Sequence, residues 1–84
     1  MAEDIINIPK NIILRGIISQ NLKSLRKKHG ITQEELSNLT KINRVTIAKY
    51  ESCESSISLN SVLIICKALN ESPLVLLEGW ETAL

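Results

Sequence analysis

Wound as a helix, the segment Asn43 to Glu51, NRVTIAKYE, divides its side chains between two sides. Ile47 and Tyr50 stand three apart and share one side, while Arg44, Val45, Ala48 and Lys49 fall on the other. The chemistry on that outer side is non-covalent: a forked guanidinium donor, an ammonium point charge and two short apolar groups. Asn43, immediately before it, has a side-chain oxygen suited to capping the helix and an amide suited to an outside contact.

Bond-making chemistry has little to work with. His29 is the single histidine, and the adjacent Glu34 and Glu35 splay apart on a helix instead of sharing a site, so no enzyme is expected. Cys53 and Cys66 have no metal-ligand spacing and no histidine companion, so neither a metal nor a cofactor is expected. Two cysteines without a disulfide framework suit a reducing cytoplasm, and Cys66 within SVLIICKAL reads as a small buried hydrophobe. Phe is absent and Tyr50 and Trp80 are the only aromatics, which removes the stacking platforms that unpaired bases need.

Formal net charge is +1, but it is unevenly placed. Between residues 10 and 49, nine bases meet only Glu34 and Glu35, a local charge of +7. From Tyr50 onward Lys67 meets five acids, giving −4, and Glu3 with Asp4 add −2. Such a dipolar chain is compatible with a polyanion at one end; a solvated charged face is the alternative reading.

The elements that must carry these side chains follow from periodicity. A chain of 84 residues, 44% apolar, makes one core and one domain. Residues 1–9, MAEDIINIP, show no clean period and read as an extended arm, leaving 10–84 as the folded domain. The acids at the start and Arg15 inside IILRGII argue against a signal peptide, and no stretch is long enough for a membrane span. Ile13, Leu14, Ile17, Ile18, Leu22 and Leu25 trace a first helix from about Lys10, closed by Gly30, with His29 serving only the basic last turn. Thr32 and Glu35 form a capping box for a second helix. A tight turn leads to Asn43 as the cap of a third, running to about Ser52. Ser58 caps a fourth, LNSVLIICKAL, and Ser72 with Pro73 opens a fifth, PLVLLEGW. The fold class is all-α, a compact five-helix bundle.

LKSLRKKHGITQEELSNLTKINRVTIAKYE, followed by SLNSVLIICKAL and SPLVLLEG, resembles the Cro and phage-repressor type of helix-turn-helix DNA-binding domain over about residues 18–79. Several elements recur in order: Leu-x-x-Leu-Arg-x-x-x-Gly, Thr-Gln-x-x-Leu, Ile-x-x-x-Thr-Ile-x-x-x-Glu and a Leu-rich fourth helix. The resemblance implies a sequence-specific regulator of transcription, most simply a repressor, with the 43–52 helix reading double-stranded DNA. A B-form major groove, about 12 Å wide, admits one helix with short mixed side chains on its outer face. Arg44 is expected to read a guanine, Val45 and Ala48 to meet thymine methyls, and Lys49 and Asn43 to reach a base or the groove edge. By resemblance Gln33 grips a phosphate at the start of the second helix, with Thr32 and Ser52 as further phosphate contacts. The family also pairs the positions of Arg26 and Glu51, a structural ion pair. Lys41 and Cys53 stand where the family often has glycine, and Thr40 where it often has an aliphatic residue.

One reading helix rarely supplies enough specificity, so a homodimer spanning two half-sites is expected. Leu74, Val75, Leu76, Leu77 and Trp80 offer more apolar surface than one core-facing stripe needs and are the candidate dimer interface, joined by Leu84 or by Ile5, Ile6 and Ile8. Packing within the subunit is the alternative for this cluster. A second function class also stands: an antitoxin-like module that binds a partner protein, for which the apolar arm is the sequence support.

Overall fold

The computed structural model describes residues 8–84. Met1–Asn7, and with them Ile5 and Ile6 of the expected arm, lie outside the described residues. Helix α1 (Lys10–Lys28) begins behind Pro9, whose ring holds the chain extended and leaves the first turn without a side-chain cap. Its inner face buries Ser19, Leu22 and Leu25, and Arg26, Lys27 and Lys28 crowd the carbonyl end, where positive charge is favoured. Gly30 turns the chain at φ +67, and its N–H donates to the Lys27 carbonyl at 2.9 Å.

Helix α2 (Gln33–Thr40) starts from the capping box: Thr32 Oγ1 accepts from the Glu35 N–H, and Glu35 Oε1 accepts from the Thr32 N–H. Helix α3 (Arg44–Glu51) follows Asn43, whose Oδ1 accepts from the Val45 N–H at 2.8 Å. Helix α4 (Leu59–Ala68) is capped by Ser58.

The fifth helical region is not the single α-helix that PLVLLEGW implies. Two 3₁₀ segments, Pro73–Leu77 and Trp80–Ala83, flank a break at Glu78 and Gly79, where Gly79 is left-handed at φ 85. Asn21 on α1 explains the break: its Nδ2 donates to the carbonyls of Leu76 and Glu78, both at 2.9 Å, and so satisfies groups a continuing helix would use itself. His29 also does more than serve the α1 terminus. Its Nε2 lies 2.7 Å from Glu71 Oε2, tying α1 to the link after α4. That hydrogen bond, helped by the charge of Lys28, holds the Glu71 carboxyl below the usual carboxylate range.

The core forms where the inner faces of all these elements meet. Leu22, Leu36, Ile47, Ile65 and Leu76 are fully buried in it, and Cys66 joins them as a small apolar group. Leu76 therefore leaves the candidate dimer interface: its side chain is sealed inside its own subunit, the only side of this segment that α1 and α4 can cover. Val75 also packs against the core while keeping partial exposure.

Among the described residues three non-glycine residues carry the left-handed backbone: Lys41 at φ 63 after α2, Cys53 at φ 68 after α3 and Asn70 at φ 55 after α4. An L side chain there costs on the order of 1–2 kcal/mol, less the extra unfolded-chain freedom that glycine brings. Lys41→Gly and Cys53→Gly are each expected to stabilise the domain by roughly 0.5–1 kcal/mol, read as a shift of the urea midpoint at constant m-value. A lower midpoint in both variants would contradict this account of the turns.

Candidate nucleic-acid interface

An eight-residue helix such as α3 does not hold itself in place, and three local devices set its position. The first is the turn from α2. Thr40, buried, donates its Oγ1–H to the Leu36 carbonyl at 2.8 Å and accepts from the Ile42 N–H at 3.2 Å. Ser37 donates to the Ile42 carbonyl at 2.6 Å, so a turn of three residues has its buried polar groups satisfied by two hydroxyls. Behind α3, Tyr50 shares a hydrogen bond with Ser61 Oγ at 3.1 Å, and Ser58 donates to the same oxygen at 3.0 Å, which fastens α3 to α4.

The third device is ionic. Arg26 Nε donates to Glu51 Oε2 at 2.7 Å and Nη2 to Oε1 at 2.9 Å, a two-pronged pair, while Nη1 donates to the Ile31 carbonyl at 2.8 Å. Both side chains are nearly sealed, at 11% and 3% exposure. Burial alone pushes the Glu51 carboxyl up; hydrogen bonds from Arg26 and Gln33, with the charges of Arg26 and Lys23, outweigh it and hold the group below the usual carboxylate range.

With Ile47 and Tyr50 locked inward, the opposite side of α3 faces solvent. Arg44, Val45 and Lys49 are exposed and Ala48 is half-buried between them, so the four residues form one outward strip. Asn43 stands exposed at its N-terminal end, where capping uses the oxygen and leaves the amide nitrogen pointing away from the helix. Arg44 adjoins the start of α2: a shallow depression there is lined by Arg44, Arg26, Thr32, Gln33 and Glu34. The start of α2, where a helix carries partial positive charge, thus adjoins Arg44, with the Glu34 carboxylate on the same rim and Arg26 paired to Glu51.

Gln33 and Ser52 are placed differently from each other. Gln33 is half-buried and its Nε2 donates to Glu51 Oε1 at 3.2 Å, so one amide hydrogen is used in holding the ion pair and the second remains for an outside acceptor. Its pairing with a residue 18 positions away has no signature in local spacing. Ser52 sits at the carbonyl end of α3, its one hydroxyl hydrogen shared between the Lys49 carbonyl at 3.3 Å and Glu54 Oε1 at 3.1 Å. A hydroxyl beside a carboxylate and a helix C-terminus is poorly suited to an anion, which counts against Ser52 as a phosphate contact.

Of the candidate dimer residues, Leu74 is 71% exposed, Trp80 50% and Leu77 38%, with Leu84 exposed nearby in sequence. A second apolar surface did not emerge from the sequence. Leu39 at the end of α2 and Leu63 and Ile64 on α4 line a shallow exposed depression. Periodicity assigns such residues to a core as readily as to a surface, because apolar positions on α4 run almost all the way round.

A tight turn joining two short helices, the second lying across the first with a cationic outer strip, defines a helix-turn-helix protein. The chain belongs to the helix-turn-helix family of the Cro/C1 type, whose profile matches residues 22–76. Antitoxin PezA of Streptococcus pneumoniae serotype 4 is 41% identical over 56 residues, which cover 67% of this chain and 35% of PezA. This chain thus spans about a third of the length of that relative. The restriction-modification controller protein C.AhdI of Aeromonas hydrophila superposes with a TM-score of 0.70 at 29% identity, covering 74% of this chain and 94% of C.AhdI. The P22 c2 repressor, solved in complex with a synthetic operator, superposes with a TM-score of 0.65 at 31% identity over 74% of this chain and 94% of its own. Among the described residues no helix is long and apolar enough to cross a membrane.

Removing one member of the buried pair strands the other. Arg26→Met is expected to cost about 3–5 kcal/mol at neutral pH, whereas Arg26→Met with Glu51→Leu together should lie close to the parent. In the parent, a carboxylate made more acidic by folding adds stability above its unfolded-state pKa and loses it as pH falls through the lower folded value. In Arg26→Met the guanidinium that offsets burial is gone, so protonation relieves the stranded Glu51 charge and the gap between single and double variants should close in acid, which urea titrations at neutral and acid pH would measure. Equal stability of the two at neutral pH would sink the coupling.

Proposed function

We propose that this chain is a sequence-specific transcriptional repressor that lies with α3 in the major groove of duplex DNA and acts as a homodimer in the cytoplasm, with residues 10–84 as the DNA-binding unit. The observation that carries the reading is the outward strip Arg44, Val45, Ala48 and Lys49, held in register by the buried Arg26–Glu51 pair. Arg44 takes the guanine edge through its fork, Val45 and Ala48 meet thymine methyls, and Lys49 and Asn43 contact a base or the groove edge. Gln33, through its second amide hydrogen, and Thr32, through its hydroxyl, grip a backbone phosphate with the N–H groups of α2. Likeness to the operator-bound P22 c2 repressor supports this arrangement. Leu74, Leu77 and Trp80, the exposed members of the C-terminal cluster, with the partly exposed Val75, form the contact between two copies. Two reading helices would then meet half-sites about one helical turn apart.

A second reading is favoured by the likeness to Antitoxin PezA: the chain is an antitoxin-like interaction module whose ligand is a partner protein. The two readings part on titration of duplex DNA drawn from a random-pool selection. A repressor gives a two-fold symmetric site and an affinity that falls steeply with salt; absence of binding to every duplex favours the protein partner.

Arg44→Ala is expected to weaken binding by about 1–3 kcal/mol and to relax preference at one base position, while Gln33→Ala weakens all duplexes about equally. Binding isotherms on the selected site and on single-base variants test this, and identical behaviour of the two mutants would overturn the division of roles. Trp80→Glu with Leu74→Glu is expected to shift sedimentation equilibrium to monomer while the subunit stays folded by circular dichroism, since both side chains are exposed in the subunit. An unchanged sedimentation mass would move the interface elsewhere.

A further inference from the structure

A cavity between the first half of α1 and the loop that leaves α3 takes no part in the contacts above. It has a volume of about 160 Å³. Leu14, Ile18, Leu22 and Ile57 supply apolar walls, Asn11 and Ser19 add polar side chains from α1, and Arg15 and Ser56 form a polar edge. Arg15 Nε donates to Ser56 Oγ at 2.9 Å, so the guanidinium spans from α1 to the loop. Ser56 is exposed and Arg15 half-buried, which sets this pair on the solvent side of a mainly apolar hollow. Tyr50, on the inner side of α3, also lines it.

We propose that this cavity is a binding site for a small aromatic monocarboxylate of benzoate size. Three features define the ligand. The volume matches that of an engineered apolar cavity, about 150 Å³, that takes up a benzene ring. Tyr50 presents an aromatic partner, and aromatic pairs gain from edge-to-face or offset stacking beyond the area they bury. Arg15 selects the charge: a guanidinium has five N–H donors, its bond to Ser56 engages one, and its planar fork matches a carboxylate. The ring sits among Leu14, Ile18 and Ile57, and the carboxylate meets Arg15 at the edge. Because Tyr50 belongs to α3, an occupied cavity touches the reading helix from behind, far from the surface assigned to DNA. The proposal does not depend on DNA binding and is tested without it.

The test is a titration of the isotopically labelled full chain with sodium benzoate, followed by amide and Arg15 Nε–H resonances. Saturable shifts are expected at Arg15, Ser56 and Ile57, with a Kd on the order of 1 mM for so small a ligand. Arg15→Gln, which keeps a donor for Ser56, should weaken benzoate about 10-fold or more through loss of the charged hydrogen bond. The same variant should bind neutral benzyl alcohol as the parent does. Ile18→Trp fills the hollow and should abolish both; if that variant fails to fold, the Arg15→Gln comparison decides alone. No saturable shift at these residues, or equal benzoate affinity in parent and Arg15→Gln, would overturn the proposal.

Discussion

The two-pronged bond between Arg26 and Glu51 fixes the roll of α3. One guanidinium joins the last turn of α1 to the last residue of α3 and, through the Ile31 carbonyl, to the chain that leads into α2. Gln33 closes the cluster from the first turn of α2. Three helices thus meet at one carboxylate. A pair of this kind adds little net stability over a well-packed apolar substitute, since both ions lose their water. What it adds is direction: a hydrogen-bonded fork has one good geometry, whereas apolar packing at Ile47 and Tyr50 would tolerate small rotations of a helix two turns long.

The turn between α2 and α3 applies the complementary constraint. It has a left-handed lysine where backbone strain is lowest for glycine, and a buried threonine among aliphatic neighbours. The threonine is tolerable because its hydroxyl bonds in both directions along the turn, to Leu36 and from Ile42. Local strain at Lys41 and at Cys53 is thereby held at both ends of α3 by contacts that over-determine the backbone. A similar fold occurs in a restriction-modification controller and in the P22 c2 repressor, so the fold by itself does not set the role.

Charge is divided along the chain, with cations concentrated in residues 10–49 and acids beyond Tyr50. Exposed apolar side chains are not divided in that way: Ile12 and Ile13 on α1, Leu39 on α2 and Val45 on α3 stand beside those of α4 and the C-terminal segment.

Much of this was legible from residue order. Caps at Thr32, Asn43, Ser58 and Ser72, the stop at Gly30 and the outward strip of α3 are local properties, governed by hydrogen bonds within three or four residues and by a 3.6-residue period. The long-range partners were not. Asn21 reaching the carbonyls of Leu76 and Glu78, which breaks the fifth helix into 3₁₀ turns, joins residues more than 50 positions apart. Gln33 turning toward Glu51, His29 meeting Glu71, and Leu76 entering the core while Leu74 stays outside likewise depend on which element lies alongside which. Sequence by itself determined where the first four helices begin and end and which side of α3 turns inward, because those follow from nearest-neighbour geometry. Only the tertiary structure decided which polar groups find each other and which apolar ones remain uncovered, because packing brings together side chains whose separation along the chain carries no information about their distance in space.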